Sequence, residues 1–390
     1  MTLGSTLTGV AWSAPWWLAL VVAAWRWRGT PSLASLPRQA PDPAPLLSVI
    51  VPARNEAVHI GDCVRAILAS EYPALELIVV DDHSTDATAR LARDAAHGDA
   101  RLTLVTPPPL PAGWLGKQWA CHHGFLAARG AFLLFTDADV RHAPDLHARL
   151  VRASEAQRAA LTSVAGFQET RTFWERVVQP YVFAILAQWY GGPGAVNRAR
   201  DPRRKIANGQ CLLFRRDAYE AFGGHVTVRG KAAEDLAFAQ QMTARGQQVF
   251  LALGSEQMST RMYASLRDIV EGWGKNVYSA GRETLPGGAV GQALARLLIP
   301  APALLTLAPV VAAMAALSGV APAGWGAFGA SASLALLAWH AAIAREFRLS
   351  PPWALSVPLA ALVYLYIAVR AVWRGDRVQW KGREYFVRGE

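Results

Sequence analysis

Two aspartates one residue apart, Asp137 and Asp139, close the apolar stretch LLFTDADV at 133–140. In an extended chain alternate side chains share a side, so this pair can grip one hard divalent cation such as Mg²⁺ or Mn²⁺. A second acidic pair, Asp81 and Asp82, also follows an apolar run directly, and Glu56 follows another in the sequence PARNE. Carboxylates on a divalent cation are what transfer from a nucleotide diphosphate requires, because negative charge builds on the departing diphosphate. Asp137 and Asp139 are therefore expected at the metal, and Asp81, Asp82 and Glu56 at the base and ribose. Asp86 is read differently, as a helix-capping residue.

Two more groups complete the constellation. Lys117 ends the glycine-interrupted stretch PAGWLGK at 111–117, where an ammonium can reach a phosphate. Glu234 and Asp235 follow a glycine-rich basic run and open a helical stretch, so one of them can deprotonate an acceptor hydroxyl as general base. The competing reading is that both only complement a helix N-terminus. His83, His122, His123 and His225 form no i, i+4 metal pair and are read as ordinary polar positions.

These residues need a frame. From about residue 46 to 253 short apolar strands alternate with amphipathic helical stretches, the signature of an α/β fold with a mostly parallel sheet and helices on both faces. Strands are expected at 47–51, 76–80, 102–105 and 132–135, with a helix at about 58–70 between the first two. In such sheets ligands bind beyond the carboxyl ends of the strands, and those ends are where Asp81, Asp82, Asp137 and Asp139 fall. A dinucleotide-dependent oxidoreductase would place G-x-G-x-x-G after the first strand, and PARNE stands there instead.

The flanks read as membrane. Of the 390 residues 52% are hydrophobic, and the mean hydropathy is +0.17. Residues 1–25 carry no charged side chain, 297–344 carry none, and 353–369 carry none. At about 20 residues per crossing, the middle stretch is too long for one span and turns near Gly319. The expected organisation is an N-terminal transmembrane helix at 1–27, a linker at 28–46, a catalytic domain at 47–255, an interfacial region at 256–295, C-terminal transmembrane helices at 296–373 and a basic tail at 374–390.

Arg26, Arg28, Arg345 and Arg348 put the central region in the cytoplasm, since basic flanks stay inside. The tail basics Arg370, Arg374, Arg377, Lys381, Arg383 and Arg388 conflict with a fourth full span, which predicts one re-entrant or interfacial segment. The net charge of +10 is assigned to these flanks and to attraction by anionic headgroups, and nucleic acid is not an expected partner. Three widely spaced cysteines, Cys63, Cys121 and Cys211, are expected as free thiols. The basic run at 198–205 is read as a loop at the headgroup surface or a contact for an anionic acceptor. A transporter or scaffold would explain the apolar helices, but not the D-x-D.

Six pieces in order resemble the inverting glycosyltransferase family 2: SVIVPARNEA at 48–57, LIVVDDHSTDAT at 77–88, GWLGKQWAC at 113–121, LLFTDADV at 133–140, ANGQCLLFRRDAY at 207–219 and AEDLAFAQ at 233–240. The resemblance implies a GT-A fold, nucleotide-sugar contacts from Pro52, Ala53, Arg54, Glu56 and Asp82, a metal role for Asp139 and a base role for Asp235. It also implies Gly209 and Gln210 on the acceptor side. Processive members carry Q/R-x-x-R-W after the base, whereas here RDIVEGWGKN stands at 267–276, with Trp273 and Lys275 in the acceptor-side and diphosphate positions. GWLGK, GWGKN and the tail WKGREY are more similar to membrane glycosyltransferases that act on carotenoids or hopanoids. The implied reaction moves a sugar, as a UDP-sugar, to a lipid or terpenoid drawn from the inner membrane. Polyprenyl-phosphate or polysaccharide glycosylation is the alternative.

Overall fold

The computed structural model describes residues 3–284, 288–374, 377–380 and 383–386. They fall into two units. The sheet unit holds Gly29–Glu169 and Pro193–Met262, and the helical unit holds Met1–Arg28, Thr170–Gly192 and Tyr263–Gly375. A short antiparallel pair, Arg377–Trp380 with Arg383–Phe386, falls to the sheet unit. Lys381 and Arg388 of the basic tail lie outside the described residues.

Eight strands form one sheet: β1 Leu47–Ala53, β2 Leu75–Asp81, β3 Leu102–Val105, β4 Phe132–Thr136, β5 Val140–His142, β6 Leu161–Gln168, β7 Cys211–Arg215 and β8 Val249–Thr260, in the order β3-β2-β1-β4-β7-β6-β8-β5. The first four in that order are parallel; β7 then runs antiparallel between β4 and β6, and β8 returns parallel to β6. Strand β1 is buried on both faces, as an unbroken Leu-Ser-Val-Ile-Val run demands. Val49 and Val51 enter one core with the helices Ile60–Leu68, Thr88–Ala96 and Leu146–Ala156. Ile50 enters the other, with Gly116–Ala127 and Glu234–Ala244. Each such side chain contributes roughly 1.5–3 kcal/mol by leaving water. Gly124 sets the helix Gly116–Ala127 flat on the sheet, because a Cβ there would lie 2.3 Å from Ile50 Cγ2.

The expected linker is not loose chain. Leu33 is fully buried, Ser32 bridges to Leu253, and the Arg149 guanidinium donates to the carbonyls of Leu33, Ala34 and Leu36. The sheet unit also differs from the expected continuous 47–255 domain. Its chain leaves after β6, supplies Thr170–Gly192 to the helical unit, and comes back for β7.

Among the described residues the helical unit contains four helices long and apolar enough to cross a membrane: Gly4–Trp27, Ala293–Leu317, Ala323–Glu346 and Pro351–Arg374. Small residues let the first and third approach closely, since a Cβ on Gly9 would sit 2.0 Å from the Gly324 carbonyl oxygen. The first is broken by a turn at Ser13. Its hydroxyl is satisfied by Val10 O at 2.6 Å and Ser331 Oγ at 2.7 Å, so that hydroxyl is not left facing apolar surroundings.

Candidate active site

The loop after β1 and the loop after β2 are laced together. Parallel register sets Ala53 opposite Asp81, and the Asp82 amide then donates to Ala53 O at 2.8 Å. Asn55 N donates to Ser84 Oγ, Glu56 N to Thr88 Oγ1 at 2.8 Å, Ala57 N to Asp86 Oδ2, and Thr85 N to Asn55 Oδ1 at 2.8 Å. Asn55 and His83 both take the left-handed backbone (φ 52° and 55°) that this crossing requires. Arg54 donates to Asp82 O and stands 3.8 Å from Asp82 Oδ2, with Asp82 buried. Asp81 closes a turn on itself by accepting from Ser84 N. Asp86 accepts from the amide of Thr88, the first residue of the helix, but the N-cap position is Ala87 and carries no side-chain cap, so the expected capping role is not what the structure shows.

Beyond β4 the acids converge. Lys117, on the first turn of its helix, lies 2.8 Å from Asp137 Oδ1 and 3.2 Å from Glu234 Oε1, and its Nζ reaches Gly209 O at 3.5 Å. It thus bridges the two acids. Burial pulls its ammonium down, but the Asp137 and Glu234 carboxylates outweigh that and hold it well above the usual lysine range. Burial pushes the Glu234 carboxyl up, against the pull of Lys117. Asp235 accepts from Gly209 N through Oδ2 and from Leu236 N through Oδ1, both at 2.8 Å. Asp139 is pushed up to about 7 by burial first, then by the charges of Asp137 and Glu56. Glu56, Asp137, Asp139, Lys117, Glu234, Asp235 and Gly209 therefore form one continuous cluster, with Asp82 tied in through the β1 loop. Cys63 lies behind it, its Sγ 3.8 Å from Asp137 O. All three cysteines are buried and free.

Three features were not found from sequence. The first is a buried chain whose ends set its direction. Thr136 Oγ1 donates to Gln210 O at 2.8 Å, so it accepts from His142 Nε2 at 3.0 Å. His142 Nδ1 then accepts from His147 Nε2 at 3.1 Å, and His147 Nδ1 from Ser70 Oγ at 2.7 Å. Both rings are neutral in this arrangement, and burial lowers His142 to about 4 and His147 well below the usual histidine range. The chain fixes the 208–210 loop from behind.

The second is an amide network. Asn208 donates through Nδ2 to Val164 O at 2.8 Å, which orients it, and the same nitrogen faces Gln210 Oε1 at 3.3 Å. Gln168 must then offer Nε2 to that oxygen, at 3.2 Å, and its own Oε1 is buried without a hydrogen-bond partner. The third is Gln118, which clamps the 228–231 loop by donating to Val228 O and Lys231 O and accepting from Gly230 N. A polar residue at the sheet end of a strand, such as Gln168, was the available signal for the second.

Trp273 and Lys275 belong to the helical unit, on the helix Leu266–Thr284. Trp273 is buried and donates from Nε1 to Gln179 Oε1 at 2.8 Å. In the basic run, Arg198, Arg200, Arg203 and Arg204 are exposed, while Lys205 is buried and donates to Asn197 O at 3.2 Å.

A divalent cation suits this donor set. Among the described residues no three His, Cys, Asp or Glu side chains form a complete cage. A Mg²⁺-type site needs only one or two carboxylates, with phosphate oxygens and water for the rest. Asp139 is raised by burial and by the charges of Asp137 and Glu56, and a cation would favour its ionised form against both.

Residues 48–223 match the glycosyl transferase family 2 profile. The 4,4'-diaponeurosporenoate glycosyltransferase of Staphylococcus aureus (strain USA300) is 29% identical over 244 residues, covering 62% of this chain and 63% of that protein. The chain thus aligns with less than two thirds of that relative's length. Its counterpart in the bovine strain RF122 / ET3-1 is 28% identical over 244 residues, with the same coverage. Among solved structures, a mannosyltransferase from Pyrobaculum calidifontis in complex with GDP-Man and Mn²⁺ superposes with a TM-score of 0.57 at 21% identity, covering 95% of this chain and 99% of that one. That likeness establishes a shared GT-A-like fold.

Proposed function

We propose, from the premise that residues 48–223 are a glycosyl transferase family 2 domain, that this protein moves a sugar with inversion from a nucleotide diphosphate, a UDP-sugar, to a long apolar lipid or terpenoid. The supporting observation is the single acidic cluster running from Glu56 through Asp139 and Asp137 to Asp235, bridged by Lys117. The relatives' name, with its carotenoid acid, supports an acceptor of that apolar class. The four apolar helices support a multi-pass inner-membrane protein with its sheet unit in the cytoplasm.

Asp139 and Asp137 would hold Mg²⁺ or Mn²⁺, which when bound offsets the charge on the leaving diphosphate. The laced loops carrying Pro52, Ala53, Arg54, Glu56, Asp81 and Asp82 bind the nucleoside. Lys117 keeps Asp137 and Glu234 from repelling each other and so keeps the cluster closed around the diphosphate. Asp235, with one oxygen on Gly209 N and the other on Leu236 N, is fixed in orientation and takes the proton of an acceptor hydroxyl. A carboxylate acceptor arrives already ionised, and toward it Asp235 only orients the attack. Gln210 and Gly209 are read on the acceptor side.

The test is transfer of radiolabel from a UDP-sugar into extracted lipid by the full chain, compared with Asp139→Ala and with EDTA. Label should enter lipid only with the intact aspartate and a divalent cation. Transfer that survived both treatments would refute the cation-dependent reaction.

A further inference from the structure

The chain passes from the helical unit into the sheet unit after Arg28 and again after Gly192. In the helical unit the two departing ends are tied together, because the Arg26 guanidinium donates to Gln188 O, Trp189 O and Tyr190 O at 3.0, 3.2 and 2.7 Å. In the sheet unit the two arriving segments are pinned side by side on β8. Pro31 O accepts from Leu253 N at 2.9 Å, and the Asn197 side chain takes both the amide and the carbonyl of Leu251 at 2.8 Å. The segments also meet each other: a Cβ on Gly194 would lie 2.6 Å from Gly29 O, and one on Gly29 would lie 3.6 Å from an Arg198 guanidinium nitrogen. Gly29 stands two residues beyond Trp27, where the apolar helix Gly4–Trp27 ends, so at most about 7 Å of chain separates them. With that helix across a bilayer, Arg198 is held at headgroup level.

Arg198 opens a stretch, 198–204, with four arginines in seven residues and one acid, Asp201. All four arginines are exposed, and Asp201 Oδ1 is turned back onto Arg203 N at 2.9 Å. Among the described residues Arg198, Arg200 and Arg203 pair with no carboxylate. The backbone that carries them is anchored, for buried Lys205 donates to Asn197 O and the turn Pro202–Arg204 packs against the helix Glu234–Ala244. A guanidinium fork matches a phosphate with two parallel hydrogen bonds, and an anionic leaflet draws such side chains to its surface. We propose that Arg198, Arg200, Arg203 and Arg204 dock the sheet unit on the phosphate groups of anionic phospholipids in the leaflet where the first helix ends. The proposal rests on the membrane-crossing reading of Gly4–Trp27 above and goes beyond it, naming the lipid class and the residues that meet it. The same run leads directly into Asn208, Gly209 and Gln210, so docking holds the acceptor-side loop close to the surface from which an apolar acceptor emerges.

The full chain is placed in nanodiscs of phosphatidylcholine alone or of phosphatidylcholine rich in phosphatidylglycerol. Its arginines are modified with phenylglyoxal, and the rate at each is read by peptide mass spectrometry. Arg198, Arg200, Arg203 and Arg204 should react about fivefold or more slowly in the anionic discs, the shift expected for an arginine at an anionic surface. High salt should remove the difference, because exposed charges are screened. Arg65 and Arg90, exposed elsewhere on the sheet unit, should react alike in both discs. The double variant Arg200→Gln/Arg203→Gln changes only exposed positions and should bring Arg198 and Arg204 close to their rates in neutral discs. Equal rates for the unaltered protein in the two discs overturn the proposal, and that comparison needs no variant. So does a slowing that Arg65 and Arg90 share, which would give the effect to general charge. Equal slowing in neutral discs by millimolar glycerol 1-phosphate would make the face a site for free phosphate and overturns it as well. A chain that does not enter discs would sink the membrane reading itself, whereas entry with equal rates sinks only the docking face. UDP binding with Mn²⁺, measured on the same samples, reports on the donor reading separately.

Discussion

Asp235 Oδ2 accepts the Gly209 amide hydrogen at 2.8 Å, and a Cβ built on Gly209 would stand 3.1 Å from that same oxygen. The hydrogen bond and the missing side chain are one device, for the carboxylate reaches the backbone only because nothing projects from it. Gly209→Ala should displace the carboxylate and lower kcat about tenfold with UDP affinity unchanged. Asp235→Asn should lower transfer to a terpenoid alcohol by about 10²–10⁴-fold, the usual contribution of a positioned base. Transfer to a carboxylic acid should fall far less, and comparing the two acceptors with one variant checks the base assignment.

Lys117 neutralises two acids at once. Lys117→Met leaves Glu234 buried without its cation and should cost about 2–3 kcal/mol in denaturant unfolding, less than a fully buried pair because the lysine is partly exposed. Adding Glu234→Gln should recover at least half of that loss. A double variant no more stable than the single one would mean that the pair does not interact as drawn.

Asp139 titrates near 7 in the fold against about 3.9 in an unfolded chain. The folded state therefore holds more protons between those values, and its stability falls as pH rises from about 4 through 7, by on the order of 4 kcal/mol. Asp139→Asn should flatten this loss and raise the melting temperature of metal-free protein at pH 8. Mn²⁺ should raise the melting temperature of the natural protein and not of the variant, while transfer is lost in the variant.

The neutral pair His142 and His147 has the opposite sign. His142 titrates at about 4 folded and about 6.5 unfolded, so the unfolded chain takes up protons first as pH falls. Stability should drop between pH 6.5 and 4 by about 3 kcal/mol from this residue. A melting curve against pH should show that limb in the natural protein, and His142→Asn should make it shallower.

Gln168 orients Gln210 through one amide nitrogen. Gln168→Leu should raise KM for the acceptor several-fold while UDP binds as before, because Gln210 is read on the acceptor side. Equal loss of UDP affinity would assign Gln168 to general packing instead.

The parallel half of the sheet was legible because its strands are buried on both faces, and continuous runs such as 47–51 and 76–80 have few other readings. Acids directly after such runs could be placed at strand tips without coordinates. The antiparallel β7 was not legible, since nothing in Cys-Leu-Leu-Phe-Arg tells which neighbours it takes or in which direction. Partnerships set by distance in the chain were hidden as well: Lys117 meets Glu234 from 117 positions away, and His142 meets His147 from a different element. Lys205, sixth of a cluster of basic and polar residues, looked like its exposed neighbours, and only the packing around Asn197 separates it from them.

The excursion of Thr170–Gly192 out of the sheet unit between β6 and β7 bears on how the protein is made. A ribosome delivers the helix Phe173–Tyr190 before the strand that must slot between β4 and β6, so the sheet cannot close until the apolar detour has been accommodated. Trimming both ends leaves this helix in the fragment, for it is stitched into the interior of the polypeptide rather than hung from its termini.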